Sequence, residues 1–343
     1  FIGNAIMGKK TQPTYAQLAA ASGISVATIS RMMNGSSRVS EKARLKIVQA
    51  LTSLGYDPES ILPHPAAEGN FILFNIPNLA NPFYSLIIQG ARDAAKRSGY
   101  TLLINEDAID DATIEAYLMM IKKIKPAGLI ITNSVSPVIL NRLDALVPIV
   151  QCCECNENLS IPFVTIDDAE AAKYAVEHLI SLGCKRIAFL NGPLSYKYAR
   201  NRLAGYTNAL ENAGCKAEPE LTVQLGEINY DMALSAAYQL LNSSNRPDAF
   251  FCSSDVYAAA VIKAAKKVNL SVPNDIAVIG FDNTEISSMC TPSITTVNQP
   301  RYQMGLVGCD MLTERINDKT LPVRGMYLET ELIVRESSTR RPV

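Results

Sequence analysis

The stretch from residue 14 to residue 56 has the spacing of two short helices joined by a tight turn and followed by a third helix. Residues 15–22 predict the first helix, and Gly23 provides the turn because glycine adopts a positive φ at little cost. Ser25 is a candidate N-cap for a second helix that runs from Val26 to about Met33. This pattern predicts a helix-turn-helix, in which the second helix enters the DNA major groove with its N-terminal residues foremost.

The apolar residues of this stretch predict how its three helices pack. Leu18 and Ala19 face inward from the first helix, and Ile29 of the second helix points back toward Ala19, whose small side chain allows a close crossing. A third helix begins after Ser40. It carries one apolar stripe at helical spacing, formed by Ala43, Ile47, Leu51 and Leu54.

The outward side chains of the second helix are candidates for reading DNA. Arg31 is predicted to contact O6 and N7 of a guanine, and the short Val26 and Ala27 to contact thymine methyl groups. An ordinary three-helix unit is the alternative, because an Ala-x-x-x-Gly spacing alone is common, but the joint pattern favours DNA binding. The predicted DNA contacts of this stretch are Thr14, Tyr15, Ser25, Val26, Ala27, Thr28, Ser30, Arg31 and Asn34.

The charge distribution supports a DNA partner. Residues 1–60 carry seven Lys and Arg against three Asp and Glu, a net charge of +4, and the remaining residues carry 25 against 30, a net charge of −5. A basic N-terminal region on an acidic remainder suits a protein with one phosphate-facing end. The net charge of −1 for the whole chain conceals this asymmetry.

Length and composition narrow the remaining classes. The 343 residues allow two or three domains, and 48% of them are hydrophobic, yet no apolar run approaches the length of a membrane span. The N-terminal residues lack the apolar segment and cleavage site of a secretory signal. We therefore expect a cytoplasmic protein with no membrane partner, and we expect residues 1–13 to be a disordered or non-native leader.

The eight cysteines do not predict a metal centre. None forms a Cys-x-x-Cys pair, and the single cluster of Cys152, Cys153 and Cys155 lacks the partners and spacing of a structural zinc site. Free thiols in a reducing compartment are the better interpretation, and we predict neither a metal nor a cofactor.

Beyond residue 69 short β-rich runs alternate with helical stretches, which predicts parallel, doubly wound α/β sheets. About ten runs are too many for one ordinary sheet of this size, so we expect two α/β lobes. Ligands of such lobes bind beyond the carboxyl ends of the strands. The polar residues predicted there are Asn78, Asn81, Asp167, Asn191, Asp255 and Asp282.

Several motifs in order make the chain resemble the LacI/GalR family of bacterial transcription regulators, whose members join a helix-turn-helix head to a periplasmic-binding-protein-like core. The resemblance runs from about Thr14 to Arg335. Its motifs are SVATISRMMNG (25–35), NPFY (81–84), VEHLISLGCKRIAFLNGP (176–193), RNRLAGY (200–206), SVPNDIAVIGFDN (271–283), TPSITTVNQP (291–300) and ELIVRES (331–337).

The resemblance implies that three connecting strands cross between two lobes, each discontinuous in sequence. The first lobe takes about 70–165 and 297–328, and the second about 166–296 and 329–343. The core 70–343 would bind an effector and form a dimer, while residues 14–56 bind DNA.

By the same resemblance the cleft between the lobes holds a small polar effector, a sugar or related metabolite. Its contacts would come from Asn81, Phe83, Asp167, Arg202, Tyr230, Asp255 and Asp282. Other interpretations stay open for three of them, because Asp282 could cap a turn, Arg202 could form an ion pair between helices and Tyr230 could simply pack. Many sugar-responsive relatives place Asn before the residue that is Asp255 here, whereas this chain has Ser254.

The linker of residues 57–69 departs from the family pattern. Relatives carry a hinge helix whose leucine inserts into the minor groove, but here three prolines and a glycine occupy thirteen residues. A proline inside a helix costs about 3 kcal/mol. Pro63 and Pro65 therefore restrict a hinge helix to a short turn over Glu59–Leu62, with Ile61 and Leu62 as the remaining candidate DNA contacts.

Three functional classes fit parts of this pattern. The favoured one is a ligand-responsive regulator, most simply a repressor, that binds a palindromic operator as a homodimer. A solute-binding protein for sugar uptake shares the predicted core but needs export and has no helix-turn-helix. An α/β enzyme is disfavoured because the chain has no Gly-x-Ser-x-Gly elbow, no P-loop and no Gly-x-Gly-x-x-Gly after a strand.

Overall fold

The computed structural model describes residues 13–33, 39–61 and 70–339. The chain forms two compact units, Phe1–Glu68 and Gly69–Val343, which we call the head and the body. The expected leader lies outside the described residues apart from Pro13. So do Asn34 and Leu62, two of the predicted DNA contacts.

Within residues 13–33 and 39–61 the head has four helices, α1 Tyr15–Ser22, α2 Val26–Met33, α3 Glu41–Ser53 and the single turn α4 Pro58–Ile61. Local sequence explains their ends. Thr14 caps α1 in a capping box with Gln17, Gly23 ends it at φ +67°, and Ser40 caps α3. The predicted bounds of α1 and α2 are confirmed.

One apolar cluster holds the head together. Leu18, Ile29, Ile47 and Leu51 are fully buried, with Met32 and Ala50 nearly so. Ile61 of α4 packs against this cluster and is half-buried, so the short turn after Pro58 forms part of the head.

Over residues 70–339 the body forms two six-stranded sheets, each covered by helices. The first sheet has the order β11-β5-β4-β3-β1-β2, and all its strand pairs are parallel. We call this half the first lobe. Its strands are β1 Phe71–Asn75, β2 Thr101–Asn105, β3 Gly128–Ile131, β4 Ile149–Cys152, β5 Phe163–Ile166 and β11 Gly325–Leu328; its helices are α5 Tyr84–Arg97, α6 Ile114–Ile124, α7 Pro137–Asp144 and α13 Arg301–Asn317.

The second lobe is built on the sheet β12-β10-β9-β8-β6-β7, in which β12 alone runs antiparallel, against β10. Its strands are β6 Ile187–Asn191, β7 Thr222–Gln224, β8 Ala249–Cys252, β9 Ala277–Asp282, β10 Thr295–Asn298 and β12 Glu331–Ile333. Its helices are α8 Asp168–Ser181, α9 Lys197–Asn212, α10 Tyr230–Leu241, α11 Asp255–Lys267 and α12 Glu285–Met289.

The chain crosses between the lobes three times, after β5, after β10 and after β11. The two-lobed α/β class is confirmed, but the crossings lie one or two residues beyond the predicted boundaries. Ile166 belongs to the first sheet and residues 297–298 to the second. The sequence prediction also missed β11 and β12, because these short edge strands are partly exposed and lack a continuous apolar run.

Close packing of α5 on α13 positions one wall of the cleft between the lobes. A Cβ on Gly90 would overlap the carbonyl oxygen of Tyr302, and one on Gly305 would overlap that of Ile87. Glycine is therefore required at both places. The contact fixes the N-terminal ends of both helices at the carboxyl edge of the first sheet.

Candidate functional site

The exposed face of α2 is the candidate DNA-reading surface of the head. Val26, Ala27 and Arg31 are exposed, while Ile29 and Met32 of the same helix are buried. This arrangement follows from the amphipathic period of the helix, which turns the apolar side inward and leaves the predicted base contacts outward.

Several of the other predicted DNA contacts also serve the local fold. The hydroxyl of Ser25 accepts a hydrogen bond from the Thr28 amide at 3.3 Å and pairs with the Thr28 hydroxyl at 2.8 Å. Thr14 uses its hydroxyl in the cap of α1, Tyr15 beside it is 38% exposed, and Ser30 is half-buried. The two capping residues Thr14 and Ser25 stay exposed at helix N-termini, where amide groups attract phosphate.

A cavity of about 270 Å³ lies between the two lobes of the body. The first lobe and its crossings contribute Pro77, Asn78, Asn81, Phe83, Tyr84, Cys153, Glu154, Ile166, Gln299 and Met304. The second lobe contributes Asp168, Pro193, Tyr196, Tyr198, Arg202, Gly226, Glu227, Ile228, Ser253 and Asp282.

Four of the seven predicted effector contacts line this cavity. They are Asn81 and Phe83 from the first lobe and Arg202 and Asp282 from the second. The side chain of Asn81 accepts a hydrogen bond from the Phe83 amide at 3.0 Å, which shapes the turn before α5.

Asp167 does not line the cavity, whereas its neighbour Asp168 does. The Asp167 carboxylate caps α8 by accepting hydrogen bonds from the amides of Ala169 and Glu170, and its side chain is exposed. Asp168, one residue into the helix, is 2% exposed and lines the cavity. The cap geometry directs one carboxylate outward and the next one inward.

Asp255 and Tyr230 do not line the cavity either. The buried carboxylate of Asp255 accepts hydrogen bonds from the Thr296 hydroxyl at 2.6 Å and from the Thr284 amide and hydroxyl at 2.6 and 2.9 Å. Burial raises the pKa of Asp255 to about 6. Tyr230 begins α10 and is 38% exposed, away from the cavity lining. Asp255 is thus a structural link between three elements, and Tyr230 is a surface residue.

Arg202 is the centre of a buried charge network. Its Nε donates to Asp168 Oδ1 at 2.9 Å and its Nη1 donates to the Ser253 carbonyl oxygen at 2.7 Å. The same Nη1 lies 3.8 Å from Asp282 Oδ1. The guanidinium carbon lies 3.5 Å from the Phe281 ring centroid, so a planar cation stacks on an aromatic face. Arg202 therefore forms the ion pair between helices and also lines the cavity.

Asp282 ends β9 in an unusual backbone conformation. Its φ is +103°, a backbone conformation that residues other than glycine rarely adopt and that often marks a functional position. Oδ1 accepts a hydrogen bond from Gln299 Nε2 at 2.7 Å. Burial raises the pKa of Asp282 to about 8, although Arg202 acts to lower it. At neutral pH this carboxyl is therefore mostly protonated and can donate a hydrogen bond.

Glu154 joins the two lobes across the cavity. Its Oε2 accepts a hydrogen bond from the Lys197 amide at 2.6 Å, and its Oε1 accepts one from the Tyr198 amide at 3.1 Å. These amides begin α9, whose N-cap residue Tyr196 supplies no side-chain cap. Burial raises the pKa of Glu154. A first-lobe carboxylate therefore caps a second-lobe helix.

Aromatic rings and an unpaired hydroxyl complete the walls. Phe83 and Tyr84 meet edge to face with centroids 5.1 Å apart, and Tyr196 and Tyr198 lie 5.5 Å apart. The hydroxyl of Ser253 is buried with no hydrogen-bond partner within the described residues. Such walls suit a ring with polar substituents.

The sequence prediction missed these aromatic and acidic residues. The Tyr-Lys-Tyr run at 196–198, one residue before RNRLAGY (200–206), was a usable signal, because a helix that follows a strand begins at the carboxyl edge of the sheet, where ligands bind. Glu154 had no such signal, since it lies among cysteines and meets its partners 43 and 44 residues later in the chain.

Within the three described ranges, no group of three or more His, Cys, Asp or Glu residues is placed to hold a metal ion. Nor does any helix of that part of the chain have the length and apolar character needed to cross a membrane.

Comparison with known proteins gives a family match for the head and another for the body. Residues 16–59 match the model for bacterial regulatory proteins of the lacI family, and residues 176–338 match a periplasmic binding protein-like domain. The head match contains α1, α2 and α3, and the body match contains most of the second lobe.

Relatives match nearly the full chain. The HTH-type transcriptional repressor CytR of Escherichia coli is 31% identical over 97% of this chain and 98% of its own. The ribose operon repressor of Halalkalibacterium halodurans is 32% identical over 92% and 94%. A solved complex of the transcriptional regulator CelR with cellobiose is 28% identical with a TM-score of 0.73, covering 95% of this chain and 100% of that one.

Proposed function

Because the chain belongs to the LacI family of bacterial regulatory proteins, we propose that it represses transcription by binding a palindromic operator as a homodimer. A small polar effector, a sugar or related metabolite, binds in the cleft of the body and controls operator binding. As a regulator of transcription, the protein acts in the cytoplasm, where it binds the chromosome.

One observation carries this proposal: the same chain combines an exposed recognition helix with an enclosed polar cavity. The cavity holds the paired Arg202 and Asp168, the carboxyl of Asp282 and the rings of Tyr196 and Tyr198. Hydrogen-bonding groups and aromatic faces together are how proteins bind sugars and nucleosides. The relatives named above carry the names of regulators, and we propose no catalytic activity for this chain.

In the head, we assign base recognition to the exposed residues of α2. Arg31 is long enough to donate two hydrogen bonds to a guanine, and Val26 and Ala27 offer apolar contacts to thymine methyl groups. Thr14 and Ser25, exposed at the starts of α1 and α2, are placed for phosphate oxygens. Two such heads read two half-sites about one helical turn apart, which requires a dimer.

The dimer surface is assigned to the first lobe. Leu103 and Ile104 lie on the edge strand β2 and are 43% and 36% exposed. An exposed apolar edge strand is unfavourable in a monomer, and a second copy that covers it removes the exposed edge.

Control by the effector follows from linkage between two lobe arrangements. Glu154 caps α9 across the cleft, and Arg301 donates to the carbonyl oxygens of Pro82 in the first lobe and Asn283 in the second. An effector that binds one arrangement more tightly shifts the population toward it. The factor by which the effector changes operator affinity equals the factor by which the operator changes effector affinity, and the difference in effector affinity between the two states is its upper limit.

A selection from random DNA duplexes with the full-length protein tests the regulator assignment. We expect a palindromic preferred site, bound more tightly than random DNA by a factor of about 10³ or more. Arg202→Ala should leave this preference unchanged, while Arg31→Ala should alter it. Enrichment of no sequence at low salt would reject the proposal.

A further inference from the structure

Each positive feature that borders the cavity already has a partner within the protein. The pair Arg202–Asp168 is joined at 2.9 Å, and Asp168 Oδ2 also accepts a hydrogen bond from Lys197 Nζ at 3.2 Å. Burial acts to lower the pKa of Lys197, but Asp168 raises it overall. A single aspartate therefore neutralises part of the charge of two cations.

The N-terminus of α9 is the second positive feature, because its free amides and helix dipole would otherwise attract an anion. Glu154 already occupies it, accepting hydrogen bonds from the Lys197 and Tyr198 amides. The start of α5 is closed in a similar way, since the amides of Phe83 and Tyr84 bond to the side chain and the carbonyl of Asn81.

The lining itself is rich in carboxyl groups. It contains Glu154, Asp168, Glu227 and Asp282, against the single guanidinium of Arg202. Arg301, outside the lining, donates to backbone carbonyls. Burial is the main cause of the raised pKa values of Asp282 and Glu154, while the two amides that donate to Glu154 act to lower the pKa of that carboxyl.

We infer that the effector carries no phosphate or carboxylate group and that the internal carboxylates Glu154 and Asp168 exclude such anionic ligands from the cleft. This inference rests on the proposed function of the cleft as an effector site. The groups left for the ligand are the Ser253 hydroxyl, buried and without a partner among the described residues, and the protonated Asp282. Ser253, through its carbonyl oxygen, and Asp282 both lie beside Arg202 Nη1, so these two residues border one part of the cavity, which suits ligand hydroxyl groups.

The repulsion is large enough to measure. A phosphate group about 6 Å from a carboxylate, at the effective dielectric constant of a partly buried site, loses on the order of tenfold to a hundredfold in affinity. An anion that displaced Glu154 from α9 would in addition leave that carboxylate buried without its partners.

The test is calorimetric titration of the full-length protein with matched ligand pairs. The probes are ribose, glucose, cellobiose, cytidine and adenosine, each beside its monophosphate, with glucuronate beside glucose. We expect an uncharged member to bind and its phosphate to bind at least about tenfold more weakly. Tighter binding of a phosphate than of its uncharged parent overturns the inference, and so does the absence of binding by every uncharged probe.

Charge-removing variants test the cause of the discrimination. Glu154→Gln should narrow the gap in affinity between each uncharged ligand and its phosphate about tenfold. Glu227→Gln, at an exposed position, should narrow this gap by a smaller factor. Glu115→Gln, on the exposed surface of α6, should leave it unchanged. If Glu154→Gln and Glu227→Gln both keep the wild-type gap, the carboxylates are not its cause.

Operator binding is measured on the same preparations. If the protein selects a palindromic site but binds only phosphates, the ligand class is wrong and the regulator assignment stands. If it binds uncharged probes but no DNA, the regulator assignment is wrong.

Discussion

The candidate residues of the head and those of the body differ in what surrounds them. On α2 the exposed Val26, Ala27 and Arg31 project from a small buried cluster that does not include them. In the body the candidate residues are buried and bonded to one another, with Arg202 at 4% and Asp168 at 2% exposure. Substitutions in the head should therefore change recognition with little loss of stability, whereas substitutions in the body should change both together.

Among the substitutions that test this difference between head and body, removal of Asp168 should cause the largest loss of stability. Asp168→Ala leaves the buried cations Arg202 and Lys197 without their shared partner, which we expect to cost about 3–5 kcal/mol in the free energy of unfolding. Urea denaturation of the full-length protein measures the loss. The control is Asp167→Ala, which removes an exposed helix cap and should cost about 1 kcal/mol. Equal losses in the two variants would show that the ion pairs contribute little.

The second-largest effect should be the pH dependence of the stability of the body, which we attribute to Asp282. Its folded pKa of about 8 exceeds the unfolded value of about 3.9, so the folded body holds a proton that the unfolded chain has lost. Stability should therefore fall as the pH rises toward 8, by up to about 1.4 kcal/mol per pH unit.

Asp282→Asn should flatten the fall of stability with pH above pH 6. Below that value Asp255, with its pKa of about 6, also contributes to the slope. Denaturation midpoints at a series of pH values give the comparison. Asp275→Asn is the matched control, because hydrogen bonds from Ser271 lower the pKa of Asp275 and place its titration below this range. A slope unaffected by Asp282→Asn would contradict the assignment.

On the head side, Arg31→Ala should weaken operator binding by about 1–3 kcal/mol and relax the preference at one base pair in each half-site. The thermal unfolding of the variant should match that of the wild type, because the Arg31 side chain is exposed. Arg44→Ala, which removes an equal charge from an exposed position of α3, should keep the sequence preference. An unchanged preferred site in the Arg31 variant would refute its base-reading role.

Substitutions in the linker should have the smallest of the effects predicted here. The family resemblance implies a hinge leucine that inserts into the minor groove, but Ile61 here packs against the apolar cluster of the head, and Pro63 follows Leu62 directly. We therefore expect little bending of the operator and little change in bending when Ile61 and Leu62 are both replaced by Ala. Circular-permutation gel shift measures the bend. A large bend that disappears in the double variant would show that a wedge operates despite the prolines.

Features set by neighbouring residues could be predicted from the sequence. The bounds of α1 and α2 and the capping role of Ser25 agree with the structure. Helix caps, turns and the period of apolar residues involve contacts within about four positions, so a local pattern contains the information that decides them.

The composition of the cleft depended on contacts between distant parts of the chain. The motifs identified Phe83, Arg202 and Asp282, which line the cavity. The position of Asp167 at the end of a predicted strand favoured it over Asp168, but cap geometry decides which of the two adjacent carboxylates faces inward. They gave no sign that Glu154 would cap a helix of the other lobe. The sequence determined which residues carry charge and where each helix begins, whereas only the packing of two discontinuous lobes decided which charges are buried together. That pairing depends on distances across the cleft, and no local pattern encodes them.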